Sequence, residues 1–183
     1  MKHFLHVALA LILVTAASAQ PRAANNAGAV AGRVTASAPA AKARVYLLYS
    51  AASPDDADDS NAGVVFLGRV IEVSEELAGH AGQNKGSESA ECLRVLDLVD
   101  RVLSDTLRWA EEKKQAGQIV STVADEKGNF KLSGVPAGFY LVVVRGRAGD
   151  DDAYWSADLV VEPGGAATLQ LSTPEKSCPV AHR

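Results

Sequence analysis

The stretch DEKGNFKLSGVPAGFYLVVV, from Asp125 to Val144, constrains the fold of this chain more than any other. It reads as two strands divided by turn residues, with polar and apolar side chains alternating in NFKLS and an aromatic, β-branched run in GFYLVVV. Asp125-Glu126-Lys127-Gly128 is a tight connection whose glycine can take a positive φ, and Pro136 and Gly138 punctuate a second turn. The spacing predicts a hairpin followed by another turn.

The same alternation recurs along the chain. AVAGRVTA places Val30, Gly32 and Val34 on one face, and ARVYLLYS does the same with Val45, Leu47 and Tyr49. QIVSTVAD precedes the opening stretch, and AATLQLS closes the pattern. In DAYWSADLVVEP the period puts Trp155, Ala157, Leu159 and Val161 inward and Tyr154, Ser156 and Asp158 outward. Seven short strands of this kind predict a mainly β, immunoglobulin-like sandwich.

Between the second and third strands, residues 51–117 have a different character. AASPDDADDSNAG is acidic and turn-rich. In SESAECLRVLDLVDRVLSDTLRWAEEKKQAG, Cys92, Leu96, Val99, Leu103, Thr106 and Ala110 recur at heptad-like spacing, with Leu93 and Leu107 widening the stripe. Charge pairs at i,i+4, Asp97 with Arg101, Arg101 with Asp105 and Arg108 with Glu112, add to a helix. GVVFLGRVIEVSEELAGH reads two ways. Its β-branched residues suit a strand, while Phe66, Val70, Val73 and Leu77 fall at helical spacing and a glycine follows the last apolar residue. Helix is the favoured reading, giving an inserted α-helical hairpin joined through Gly79 to Ser87.

With 183 residues, 48% of them apolar, the chain can hold one ordinary domain with a decorated loop. Its start, MKHFLHVALALILVTAASAQ, has a basic Lys2, an apolar run and an A-x-A arrangement at Ala17 and Ala19. Residues 1–19 therefore read as a secretory signal peptide and 20–28 as a flexible N-terminal segment. The apolar run is well short of the roughly 20 residues a spanning helix needs. The expectation is an exported protein, periplasmic or extracellular, with no membrane span after signal removal.

Once the signal is removed only His80 and His182 remain, one in a Gly-rich segment and one beside the end. Neither is placed for a Ser-His-Asp triad, and the ligands for a structural zinc are lacking. No catalytic residue, metal or cofactor is expected, and the chain reads as a non-enzyme. Cys92 and Cys178 in an oxidising compartment favour a disulfide. It would close a loop of some 85 residues, worth about 4 kcal/mol in the chain-entropy model. A net charge of −4 gives no footprint for nucleic acid.

The strand and turn residues resemble the carboxypeptidase regulatory-like domain, a transthyretin-like sandwich related to the B-type repeats of bacterial surface proteins. The resemblance rests on Gly32, Val34, Ala43, Val45, Thr122, Asp125, Gly128, Phe130, Pro136, Gly138, Tyr140 and Gly164. It covers Ala29 to Ser50 and Gln118 to Thr173 and says nothing of the insertion. It implies a seven-strand, prealbumin-like sandwich over residues 29–173, followed by a C-terminal tail at 174–183. It also implies an accessory or interaction role rather than catalysis.

Function then has to be sought outside the turn residues. The acidic runs Asp55 to Asp59 and Asp150 to Asp152 lack the glycine register and closing glutamate of a calcium loop, and read as solvated. A large insertion in one loop of a rigid scaffold is where binding usually lives, which makes Val95, Leu98 and Trp109 the candidate partner surface. The competing reading is that the hairpin covers the open side of the sandwich. Tyr154, with the loop from Gly149 to Ala153, is the candidate sugar contact. The expected function is an exported, non-enzymatic binding or structural module of the cell envelope, with an envelope protein or glycan as partner; the alternative is a carbohydrate-binding module on the same fold.

Overall fold

The computed structural model describes residues 27–51, 60–81 and 88–179. The signal sequence, Asp55 to Asp59, most of the Gly-rich linker, the His80 side chain and His182 lie outside what is described. In chain order the elements are β1 (Gly28–Val34), β2 (Arg44–Ala51), α1 (Ala62–Ala81), α2 (Glu88–Glu112), β3 (Ile119–Val123), β4 (Asn129–Val135), β5 (Gly138–Ala148), β6 (Asp151–Val161), β7 (Ala166–Leu171) and β8 (Lys176–Pro179). A short 3₁₀ turn, Ala116–Gln118, leads from α2 into β3.

The strands form two sheets, one of three in the order β4-β1-β7 and one of five in the order β3-β2-β5-β6-β8. β1 runs antiparallel to β4 and parallel to β7, and the larger sheet is antiparallel throughout. Between the sheets lies a core that includes Val30, Val34, Val45, Leu47, Val142, Val144 and Trp155, all fully buried. Trp155 points inward, as its alternation predicts, and donates its indole N–H to the Thr35 carbonyl at 3.0 Å. That bond satisfies the one polar atom the ring brings into the core.

Two expectations are corrected and one alternative is removed. The described residues hold eight strands, not seven, because Lys176–Pro179 in the C-terminal tail pairs with β6. Four residues are too few for an alternation to show, and β8 is pinned instead by the Cys92–Cys178 disulfide, whose Cα atoms stand 5.7 Å apart. The Asp125 to Gly128 connection is a tight turn but does not make a hairpin, since β3 belongs to the larger sheet and β4 to the smaller. Asp125 organises it by accepting from the Lys127 and Asn129 backbone N–H groups, both at 2.8 Å, and from Asn129 Nδ2 at 3.0 Å. Gly128 has φ +78°, and a Cβ there would run into the Val34 carbonyl, so the crossing requires glycine. Residues 64–78 are helical, as the favoured reading has them, which removes the strand alternative.

The helices lie on the outer face of the five-stranded sheet. Leu48, Leu141 and Val143 from that face pack with Phe66 of α1 and with Leu98, Val99, Val102 and Leu103 of α2. The result is three layers, small sheet, large sheet and helical pair, with a core in each gap. Of the predicted α2 stripe, Cys92, Leu96, Val99, Leu103, Thr106 and Ala110 are buried, whereas Leu93 is exposed. Asp105 is engaged by Arg108 within the helix and by Arg69 across from α1, rather than by Arg101. The Gln118 side-chain carbonyl accepts from the Ala62 N–H at 2.8 Å, so the insertion's two ends are tied together where it leaves the sheet. Among the described residues no helix is long and apolar enough to cross a membrane.

Candidate functional site

On β5 the residues Leu141, Val143, Arg145 and Arg147 share one face by the period of a strand. The first two lie under the helices in the second core; the next two carry that face onward as charge. β2 repeats the change, with Leu48 and Tyr46 packed toward the helices and Arg44 exposed beyond them. Register sets Arg44 directly opposite Arg145. Like charges so placed destabilise an antiparallel pair unless a counter-charge offsets them.

A cleft of about 440 Å³ opens at this point between sheet and helix. Its floor is Arg44, Tyr46, Arg145 and Arg147, with Lys42 and Asp152 at the margin. Its wall is one stripe of α2, Asp100, Leu103, Ser104 and Leu107, at helical i, i+3, i+4, i+7 spacing. Arg145 is fixed: its Nε donates to Asp100 Oδ1 at 2.9 Å and its Nη1 to the Ala153 carbonyl at 3.0 Å, with the side chain only 17% exposed. Arg147 stands 3.7 Å from Asp152 and is mostly exposed, and Lys42 pairs with Glu126 at 3.2 Å on the surface. Arg44 has no ion-pair partner among the described residues. The cleft is thus a local cationic site in a chain of net charge −4.

The expected partner surface does not assemble. Leu98 is 7% exposed and belongs to the helix–sheet core, while Val95 and Trp109 are half-buried, Trp109 against that same core. Helical periodicity fixes a stripe's direction, but not which of two flanking layers it meets. Among the described residues, the large apolar side chains the insertion does expose are Leu67 and Ile71 on α1 and Leu93 on α2. Tyr154 is also displaced from its expected role. It does face outward from the sandwich, but that face is covered, and the ring packs against the helix core and the disulfide cluster. Burial, with Glu175 nearby, raises its hydroxyl pKa.

The loop beside Tyr154 fares better, since Asp152 lines the cleft. In the Asp150 to Asp152 run, Asp151 accepts from Ser177 Oγ at 2.8 Å and Asp152 turns to Arg147. Among the described residues no three His, Cys, Asp or Glu side chains gather as a metal site. The cleft arginines went unread, although the signal was present. In LVVVRGR the two arginines continue the alternation of Leu141 and Val143 on one face.

No family model matches this chain, and no curated protein does. Among solved structures it is similar to a Pseudomonas aeruginosa protein whose designation as a carbohydrate binding protein is provisional. The identity is 10%, over 80% of this chain and 88% of that one, with a TM-score of 0.37. At that distance the likeness carries no argument about this chain.

Proposed function

We propose that this chain is an exported, non-enzymatic binding module, a sandwich of the carboxypeptidase regulatory-like kind, that holds a saccharide in the cleft between α2 and the five-stranded sheet. The observation that carries this reading is the cleft's composition. Tyr46 on the floor and Leu107 on the wall offer apolar surface, and the polar and charged groups beside them offer hydrogen bonds. A pyranose ring has the same division, an apolar C–H face and a hydroxyl edge, and aromatic rings with a polar neighbour suit it. The disulfide supports export, because such bonds persist in oxidising compartments. The insertion contributes the wall of the site rather than a separate protein-binding surface.

A glycan array probed with the wild-type chain and with Ser104→Trp tests this. Ser104 is exposed on the cleft wall, so a large ring there fills the cleft while leaving the core intact. Glycans captured by the wild type should be lost by the variant at unchanged melting temperature. Equal capture by both places the site elsewhere, and no capture by either removes the saccharide.

A further inference from the structure

The geometry points to an acidic saccharide as the ligand of this cleft, its carboxylate seated between Arg44 and Arg147 over the fixed guanidinium of Arg145; this rests on the saccharide reading above. Three arginines come together here on one sheet face. Arg145 and Arg147 are two residues apart on β5, and Arg44 faces Arg145 across the ladder. Arg44 and Arg147 are then diagonal neighbours on the ladder, roughly 7–8 Å apart, a span that two long guanidinium side chains can close on one planar oxyanion.

Their environments divide the work. Arg145 spends its hydrogen bonds on Asp100 and Ala153 and supplies charge and position. Arg147 is held only by a 3.7 Å approach to Asp152, and Arg44 has no ion-pair partner among the described residues. These two are able to turn toward a ligand. Arginine's planar fork of donors matches a carboxylate in two bonds, which a neutral sugar does not supply. The two carboxylates lining the cleft are each already engaged by an arginine, so they do not cancel Arg44. Glu126, beyond the margin, is paired with Lys42.

Calorimetric titration separates the possibilities, using the wild-type chain, Arg44→Gln and Arg147→Gln, with trigalacturonic acid, neutral galactotriose and hexaglutamate as probes. Both substitutions are at exposed side chains, and a thermal melt confirms that each variant is folded. Trigalacturonic acid should bind the wild type at least tenfold more tightly than galactotriose, and each variant should lose at least fivefold. The preference should shrink at 0.5 M salt, where exposed charges are screened over a few ångströms. Equal binding of the acidic and neutral trisaccharides overturns the acidic assignment and leaves the saccharide site standing. Hexaglutamate binding with neither trisaccharide bound overturns the saccharide while retaining the anion. Unchanged affinity in both variants removes Arg44 and Arg147 from the site.

Discussion

At the residue scale, two turns show how single side chains hold the sandwich and how pH acts on them. Tyr140 lies in the sheet–sheet core with its ring edge-on to Tyr49, 5.6 Å between centroids, and its hydroxyl donates to the Pro136 carbonyl at 2.8 Å. Burial pushes that hydroxyl up to about 12, with the neighbouring Tyr49 adding to the shift. A phenol whose folded pKa exceeds its unfolded value, near 10, stabilises fully below pH 10 and loses that contribution as the pH rises toward 12. Tyr154 shifts in the same direction, so alkaline unfolding should begin above pH 10. Tyr140→Phe should lower stability by about 1 kcal/mol at neutral pH and flatten part of that alkaline loss. Asp125 behaves oppositely. The side-chain and backbone donors of Asn129, then Lys127, lower its pKa from 3.8, so its contribution is present above pH 3.8 and disappears as pH falls through the lower value. Chemical denaturation from pH 2 to 12 checks both limbs, and a flat profile would contradict them.

At the element scale, what was legible in the sequence was each element taken singly. Alternation located seven strands and grouped the faces of β1, β2 and β6, and Trp155 sits where the period puts it. The turn residues of Asp125 to Gly128 were also readable, because a bend to positive φ is a local demand. The partners of β3 and β4 were not, since a tight turn serves equally within one sheet or between two. The three-layer arrangement left one trace that alternation alone does not explain: the run Leu141 to Val144 is apolar on both faces, so both faces of β5 must be covered. The hairpin is the cover. Leu98→Ala should therefore cost about 2–4 kcal/mol, the price of a cavity in a packed core, whereas Ile71→Glu on the exposed side of α1 should change stability by less than about 0.5 kcal/mol. Urea unfolding of both variants distinguishes an integral layer from a loosely attached one. If Leu98→Ala is silent, the helices do not share the sheet's core.

At the scale of the whole molecule, the disulfide links the third layer to the edge of the second. It joins α2 to β8 across 86 residues of sequence, and Cys92, Leu96, Cys178 and Tyr154 form a small apolar cluster around it. Closing a loop of that length contributes about 4 kcal/mol in the chain-entropy model, a large share of an ordinary domain's stability. A Cys92→Ala, Cys178→Ala chain should lose stability of that order and keep the sheet signature in far-UV circular dichroism, because no cysteine lies between the two sheets. Unfolded without reductant, the wild type should show no titratable thiol. The same linkage bears on the cleft. Cys178 is the register partner of Asp152, so the bridge holds the margin of the site as well as the helix that walls it.

The functional surface we propose is the arginine-floored cleft and not the outer faces of the helices. Amide chemical-shift mapping during titration with trigalacturonic acid tests it most directly. Saturable shifts should concentrate at Arg44, Tyr46, Ser104, Arg145 to Arg147 and Asp152, and should be lost in Ser104→Trp. Shifts centred on Leu67 and Ile71 of α1 or on the three-stranded sheet, or no saturable shifts with any of the trisaccharides, would contradict it.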